Sequence, residues 1–538
     1  MLTRREFLRR GLLGGLVLTL PLGVASCGTV SGIGGGGANN SAQGSAGSLL
    51  RSAIRLPEPF AVPLPIPPIL SPARQDATTD YYEITQRAAQ VEILPGIKTE
   101  IWGYNGIFPG PTIVSRRGRL TSVRHRNELA VPTVVHLHGG KTPPEHDGYP
   151  TDLVLPVGGW DGGHGGTATP GAHGAPGGTA SSGEREYRFP LDQPAATLWY
   201  HDHRMDFTGP QVYKGLAGFH LVRDAEDEAL GLPAGERDIP LLIADRAFAA
   251  DGSFHYPALD PALKDRVGVT PEFMSGVLGD CILVNGAPWP TLEVTNTRYR
   301  FRILNASNAR RYRLALDPPP PGGKGLVQIG SDLGLLAAPV AHDRLDIAQA
   351  ERFEVIIDFS RYRVGTTITL TNAFGSGGTS RVMRFVVARE GREGSQIPAR
   401  LAEVRPLTRS DATVERSFQF ARGGATMNGV TLWTINGKPF DPQRIDANPR
   451  LGAVELWKIR TLNVEHPIHI HLGAFQVLSK NGDPPGPYNA GWKDTVNLDN
   501  GGQADLLVRF DGFRGKYLFH CHNLEHEDMM MMGNLTVV

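Results

Sequence analysis

The 538-residue sequence predicts an all-β protein built from three related β-sandwiches, and three observations carry that prediction. Gly (66) and Pro (42) are abundant, which favours a turn-rich β fold, and no long amphipathic helix is evident. The chain is too long for one hydrophobic core and suits about three of ordinary size. An Asn-Gly turn signal also recurs at domain-sized intervals: Asn105-Gly106, Asn285-Gly286 and Asn436-Gly437. Each is followed by a strand-like run, at Leu120–Arg124, Tyr299–Leu304 and Val454–Ile459. The repeat places the sandwiches at 55–228, 236–400 and 410–538.

Ahead of them, Thr3-Arg4-Arg5-Glu6-Phe7-Leu8 and the apolar run Leu12–Ala25 form a twin-arginine export signal over residues 1–27. The run is too short and Gly-rich for a membrane span. Export predicts a periplasmic or other extracytoplasmic location. Val24-Ala25-Ser26-Cys27 resembles a lipoprotein cleavage box, which would tether the mature chain to a membrane through Cys27. Residues 28–54, with the Gly/Ser/Ala/Asn-rich tract Gly32–Ser48, read as a flexible linker.

The first sandwich carries His136-Leu137-His138, Asp147 and His201-Asp202-His203, with a Gly-rich stretch, Gly158–Gly183, that reads as a long loop containing His164 and His173. The second has only His255 and His342, expected to be surface or structural. Cys281 lies there in a strand-like run and reads as a buried apolar filler. The third carries His466-Pro467-Ile468-His469-Ile470-His471 and the closing run from His520 to Met532. Of three cysteines, Cys27, Cys281 and Cys521, none has an evident partner, so no structural disulfide is expected. Lys+Arg and Asp+Glu both number 54, so no bulk charge draws the chain to nucleic acid, and no phosphate-cradling Gly-Lys-Ser/Thr loop is present.

With 17 histidines, random placement gives about 0.5 His-x-His pairs, yet there are four. A single pair fits a half-exposed strand; four beside a cysteine point to metal. In a strand, Cys521 faces one way while His520 and His522 face the other, so one strand touches two metal sites. A trigonal His₂Cys centre with a weak axial Met is the ligand set of an electron-transfer copper, and the second site behind it makes an oxidase.

These motifs resemble those of the multicopper oxidases, closest in wording to the spore-coat laccase and bilirubin oxidase branch. The resemblance spans nearly all of the chain after residue 60. It includes Leu64-Pro65-Ile66-Pro67, Trp102-Gly103-Tyr104-Asn105-Gly106, Phe108-Pro109-Gly110-Pro111-Thr112, Ile282-Leu283-Val284-Asn285-Gly286 and Gly491-Trp492-Lys493-Asp494-Thr495. It implies cupredoxin-like Greek-key sandwiches and four coppers per chain. It further implies that His466, Cys521 and His526 bind the electron-accepting copper with Met531 as axial ligand, although Met529, Met530 and Met532 stand beside it. His136 and His469 would bind a single copper, and His138, His201, His203, His471, His520 and His522 a copper pair.

The activity implied is that of a laccase: one-electron oxidation of phenols or aromatic amines at the first copper, coupled to four-electron reduction of O₂ to water. Glu527 and Asp147 match carboxylates that assist proton delivery, and Asp147 could instead cap the turn before Gly148. The partners are thus a small-molecule reductant and O₂, with contact at the His526 edge and Asn481–Tyr488 as a candidate rim. Bilirubin, aminophenols and Mn(II) stay open as substrates. The alternatives are a cuprous-ion or Mn(II) oxidase, against which the nine Met form no Met-rich insert, and a copper-free structural or division-associated exported protein, against which the ligand set is complete.

Overall fold

A computed structural model describes residues 44–160, 179–427 and 429–538. The export signal, Cys27, residues 32–43 of the Gly32–Ser48 tract, and His164 and His173 lie outside the described residues. Within them the chain forms three pairs of larger β-sheets and two two-stranded ones, and no described helix is long and apolar enough to cross a membrane.

One turn explains why the three units resemble one another. Asn105, Asn285 and Asn436 have φ of 57°, 50° and 52°, and the glycines after them 68°, 83° and 72°. Positive φ at both positions is what a two-residue hairpin turn with the strand's own twist requires, and Asn-Gly meets it at least steric cost. Each Asn side chain also accepts a backbone N–H from a neighbouring strand, from Thr85 (2.8 Å), Leu242 (2.8 Å) and Gln419 (2.7 Å). Those strands, Thr79–Glu92, Asp238–Arg246 and Ala412–Met427, each run parallel to the next repeat element, at Leu120–Asn127, Arg298–Asn305 and Val454–Thr461.

A separate apolar core fills each sheet pair. In the first unit it includes Tyr82, Val123, Leu137, Leu198 and Val222, drawn from both sheets; in the second, Phe301, Val355, Leu370 and Phe385; in the third, Trp457, Ile468, Leu506 and Phe519. Cys281 is fully buried in the second core with no disulfide. His255 is exposed, and His342 is buried with its Nε2 3.0 Å from the Gln328 side-chain oxygen.

The end of the expected linker departs from expectation. Ser48–Leu50 forms a short strand parallel to Val277–Gly279, Leu50 is buried with the third unit's core, and Ser52 bonds the Asp280 carboxylate through both its backbone N–H (2.8 Å) and its hydroxyl (2.5 Å). Leu50 brings apolar area and Ser52 two hydrogen bonds, enough to hold residues 44–54 to the body where composition alone suggested a free tether.

Candidate metal centre

Two strands of the first unit and two of the third bring the histidines together. Val135–His138 pairs antiparallel with Ala196–Asp202, setting His136 opposite His201. His466–Ile470 pairs antiparallel with Gly515–Cys521, setting His469 opposite His520. Rings from the two units then stack: His136 on His471 at 3.9 Å and His138 on His469 at 3.7 Å between centroids.

Simple strand alternation accounts for only part of this. Of the four pairs, only His136–His138 lies wholly within a strand; the other three straddle a strand end, with His203, His471 and His522 one residue beyond it. The extended backbone runs on far enough to keep both rings on one side, with centroids 5.7, 5.7, 4.9 and 5.5 Å apart within the four pairs.

The ring nitrogens form three groups of metal-ligand spacing: His138, His201 and His522; His203, His471 and His520; and His136 with His469, joined by His138. His520 Nε2 lies 3.3 Å from His203 Nε2 and 3.2 Å from His471 Nε2. One proton cannot serve three facing nitrogens, whereas one cation can accept all three lone pairs. His136 Nε2, His201 Nε2, His469 Nε2, His138 Nδ1 and both nitrogens of His522 are buried without a hydrogen-bond partner. Leaving so many polar atoms orphaned is costly unless a metal meets them. Burial drives the pKa of His136, His138, His201, His469 and His471 well below the usual value, and takes His203 to about 4 and His522 to about 3. The rings are therefore neutral at ordinary pH, the state in which they ligate.

A second constellation sits on the other side of the Gly515–Cys521 strand. His466 Nδ1 and His526 Nδ1 are 3.1 Å apart, and each is 3.4 Å from Cys521 Sγ. All three residues are buried. Burial pushes the Cys521 thiol far above its usual pKa, so a cation is what would hold it as thiolate. His520 and His522 belong to different nitrogen groups, so one stretch of chain joins the sulfur triangle to both.

Met531 is buried in the same core cluster as Cys521, and its carbonyl accepts the Cys521 N–H at 3.2 Å. Met530 and Met532 pack elsewhere, against Tyr149, Met205 and Leu518. Met529 shares the Cys521 cluster, but a Cβ at Gly268 would meet its sulfur at 3.5 Å, which turns that thioether toward Gly268.

Glu527 reaches the histidines directly, with Oε1 3.3 Å from His203 Nδ1 and Oε2 3.2 Å from His520 Nδ1. Burial works to raise its pKa, but His203 and His520 outweigh it and hold the carboxyl well below the usual range. Asp147 ends a short 3₁₀ turn, Pro144–His146, through its backbone N–H, while its side chain turns inward, Oδ2 lying 2.7 Å from His471 Nδ1. Its carbonyl is 2.5 Å from His136 Nδ1. Burial pushes this carboxyl far above the ordinary aspartate range. The turn role and the metal-facing role therefore belong to different atoms of one residue.

One neighbour carried no sequence signal. Trp433 packs on His526 with ring centroids 3.8 Å apart and planes tilted by 32°, and His526 is wholly buried, which corrects the expectation of an open His526 edge. The proposed rim at Asn481–Tyr488 leans instead on the second unit, where the Tyr488 hydroxyl donates to the Arg344 carbonyl at 2.9 Å. Asp494, within the motif Gly491–Thr495, places Oδ1 3.1 Å from His138 Nε2 and its carbonyl 2.9 Å from His469 Nδ1.

A His₂Cys triangle one residue away from an all-imidazole cluster, in a body of three sandwiches, defines a copper redox protein. Multicopper oxidase family models match residues 409–538 and, in two segments, 85–159 and 160–227. A laccase of Bacillus stratosphericus is 36% identical, with 89% of this chain and 99% of the relative covered. A bilirubin oxidase of Albifimbria verrucaria is also 36% identical over 89% of this chain and 82% of its own. The crystal structure of a laccase from Pediococcus acidilactici superposes with a TM-score of 0.75 at 32% identity, covering 91% and 96% of the two chains. The chain belongs to the multicopper oxidase family. It is a laccase-like oxidoreductase of three cupredoxin-like sandwiches that carries four coppers and acts on a small molecule with O₂; the metal-oxidase alternative is not favoured.

Proposed function

We propose that the chain oxidises phenols and aromatic amines, with His466, Cys521 and His526 holding the electron-accepting copper and Met531 its axial ligand. His138, His201 and His522, and His203, His471 and His520, hold the two coppers of the pair, and His136 and His469 the remaining one. The observation that carries this reading is the convergence of unpartnered ring nitrogens into groups of that membership. Copper supplies one-electron uptake at the first site and four-electron delivery to O₂ at the cluster. The protein's own groups do the rest. Burial keeps His201, His471 and His522 neutral, Asp147 and Glu527 hold protons or negative charge against His471, His203 and His520, and the closed core around Cys521 excludes water.

Neither His526 nor Trp433 beside it has an exposed edge, so electrons cross intervening protein to reach this site. Such outer-sphere transfer asks little of donor shape. Bilirubin and Mn(II) are secondary donors to be compared with phenols in the same assay. Export by the twin-arginine route to an extracytoplasmic compartment is supported by Arg4-Arg5 and the apolar run after them, and the Cys27 box supports a lipid tether. Mass spectrometry of the mature N-terminus reads both; an unmodified start beyond Cys27 removes the tether.

O₂ uptake with a simple phenol tests the activity. Four phenols should be oxidised to radicals per O₂ consumed, with no peroxide released. Release of stoichiometric peroxide, or no uptake by copper-loaded protein, would refute the reading.

A further inference from the structure

The second sandwich supplies none of the clustered imidazoles, yet one of its side chains reaches the Asp494 carboxylate beside them. Arg352, at the start of the strand Arg352–Asp358, is fully buried, and all five of its guanidinium N–H groups are engaged. Nε donates to the Thr197 carbonyl of the first unit at 3.0 Å. Within the second unit, Nη1 donates to the Ala350 carbonyl and Nη2 to the Asp332 carbonyl, both at 2.9 Å. The remaining two form a fork on the Asp494 carboxylate of the third unit, at 2.7 and 2.5 Å. One side chain thus joins all three sandwiches.

Asp494 passes that constraint on. A carboxylate can only accept, so the His138 nitrogen facing it, Nε2, carries the proton, and the unpartnered Nδ1 is left with its lone pair. The Asp494 carbonyl does the same to His469, fixing Nδ1 as donor and leaving the unpartnered Nε2 free. The backbone after His138 is fitted to the fork. Gly139 has φ of 86°, and a Cβ there would lie 2.7 Å from Arg352 Nη2 and 2.9 Å from Asp494 Oδ2. Asp332 and Glu351 hold Lys493, the residue before Asp494, at 3.0 and 3.1 Å, so the chain leading into Asp494 is held as well.

We propose that Arg352 is a positioning residue for the cluster: its fork fixes Asp494, and through it the tautomer and orientation of His138 and His469, so that the copper-free sandwich sets the geometry of the copper held by His136 and His469 and of the pair member that His138 serves. The proposal rests on the ligand roles given above. Hydrogen bonds to the outer nitrogen of a ligating histidine govern metal affinity and electronic character, typically by 10- to 100-fold.

The test compares copper-loaded full-length enzyme with its Arg352→Lys variant, which keeps the charge and loses the fork. The readouts are copper content, the electron paramagnetic resonance signal of the isolated copper, the blue band of the Cys521 copper, and kcat and KM for a phenol. Arg302→Lys serves as control, because Arg302 is equally buried and forks on Asp238 but touches no clustered histidine. The expected result for Arg352→Lys is an altered or lost isolated-copper signal, an unchanged blue band, and kcat lowered about tenfold or more at unchanged KM. Arg302→Lys should keep the wild-type signal.

A wild-type signal and copper content in Arg352→Lys would overturn the proposal, as would an equal change in Arg302→Lys. Should Arg352→Lys fail to fold, Asp494→Asn is read in its place, and a wild-type signal there is equally contradictory. Wild-type enzyme that binds no isolated copper would instead overturn the ligand assignment beneath the proposal, which keeps the two failures distinct.

Discussion

Asp147 joins two histidines of the cluster through different atoms, its carboxylate to His471 and its carbonyl to His136. Asp147→Asn keeps the shape and the carbonyl but removes the proton-holding group. Oxygen reduction should slow by about tenfold or more, within the span of general acid–base effects, while the blue colour persists. Unchanged turnover in steady-state O₂ consumption would remove Asp147 from the mechanism. Because burial raises its pKa, the wild-type carboxyl keeps its proton at pH values where an exposed aspartate has lost it. Activity that depends on that proton should fall as pH rises through the raised pKa, and the Asn variant should lack this limb of the profile.

At the scale of elements, the Asn-Gly turns are the parts most open to test. Asn285 is buried, its Oδ1 accepts the Leu242 N–H, and its Nδ2 donates to the Pro65 and Pro240 carbonyls, each at 2.9 Å. Asn285→Ala leaves those groups without a partner and keeps a positive φ, so it should cost about 2–4 kcal/mol, read as a lower unfolding midpoint. Asn436 is exposed, and Asn436→Ala should cost about 1 kcal/mol. The same turns made the threefold repeat legible in the sequence, because an Asn-Gly pair announces its backbone conformation locally. The histidine clusters were legible for a similar reason, spacing of two along extended chain. Trp433 and Arg352 were not. Each reaches its site from a distant part of the chain, 93 residues from His526 in one case and 142 from Asp494 in the other, and no local pattern encodes such a contact. The burial of His526 has the same long-range origin.

For the molecule as a whole, the cluster sits where the first and third sandwiches meet, so copper is part of their packing. Copper removal should lower the calorimetric melting temperature by several degrees or more, since ligand that binds only the folded state stabilises it by mass action, about 4 kcal/mol at a thousandfold excess over Kd. An identical melting temperature with and without copper would contradict this. The copper-free chain should also be acid-sensitive. His203 and His466 have folded pKa near 4 and His522 near 3, all depressed by burial from 6.5, so the unfolded chain binds more protons below that value. Stability should therefore drop as pH falls from about 6.5 toward 4, each such histidine adding about 1.4 kcal/mol per pH unit to the slope. A flat denaturation profile across that window would show that these rings are not held neutral in the fold.

The central claim, that one copper sits on Cys521 and three more lie among the paired histidines, is tested most directly by copper content and the visible spectrum of copper-loaded wild-type protein beside Cys521→Ser. The account predicts about four coppers per chain with an intense blue band in the wild type, and about three with no blue band in the variant. A wild-type protein that stays colourless and copper-free under loading conditions, or a variant that keeps the band, would contradict it.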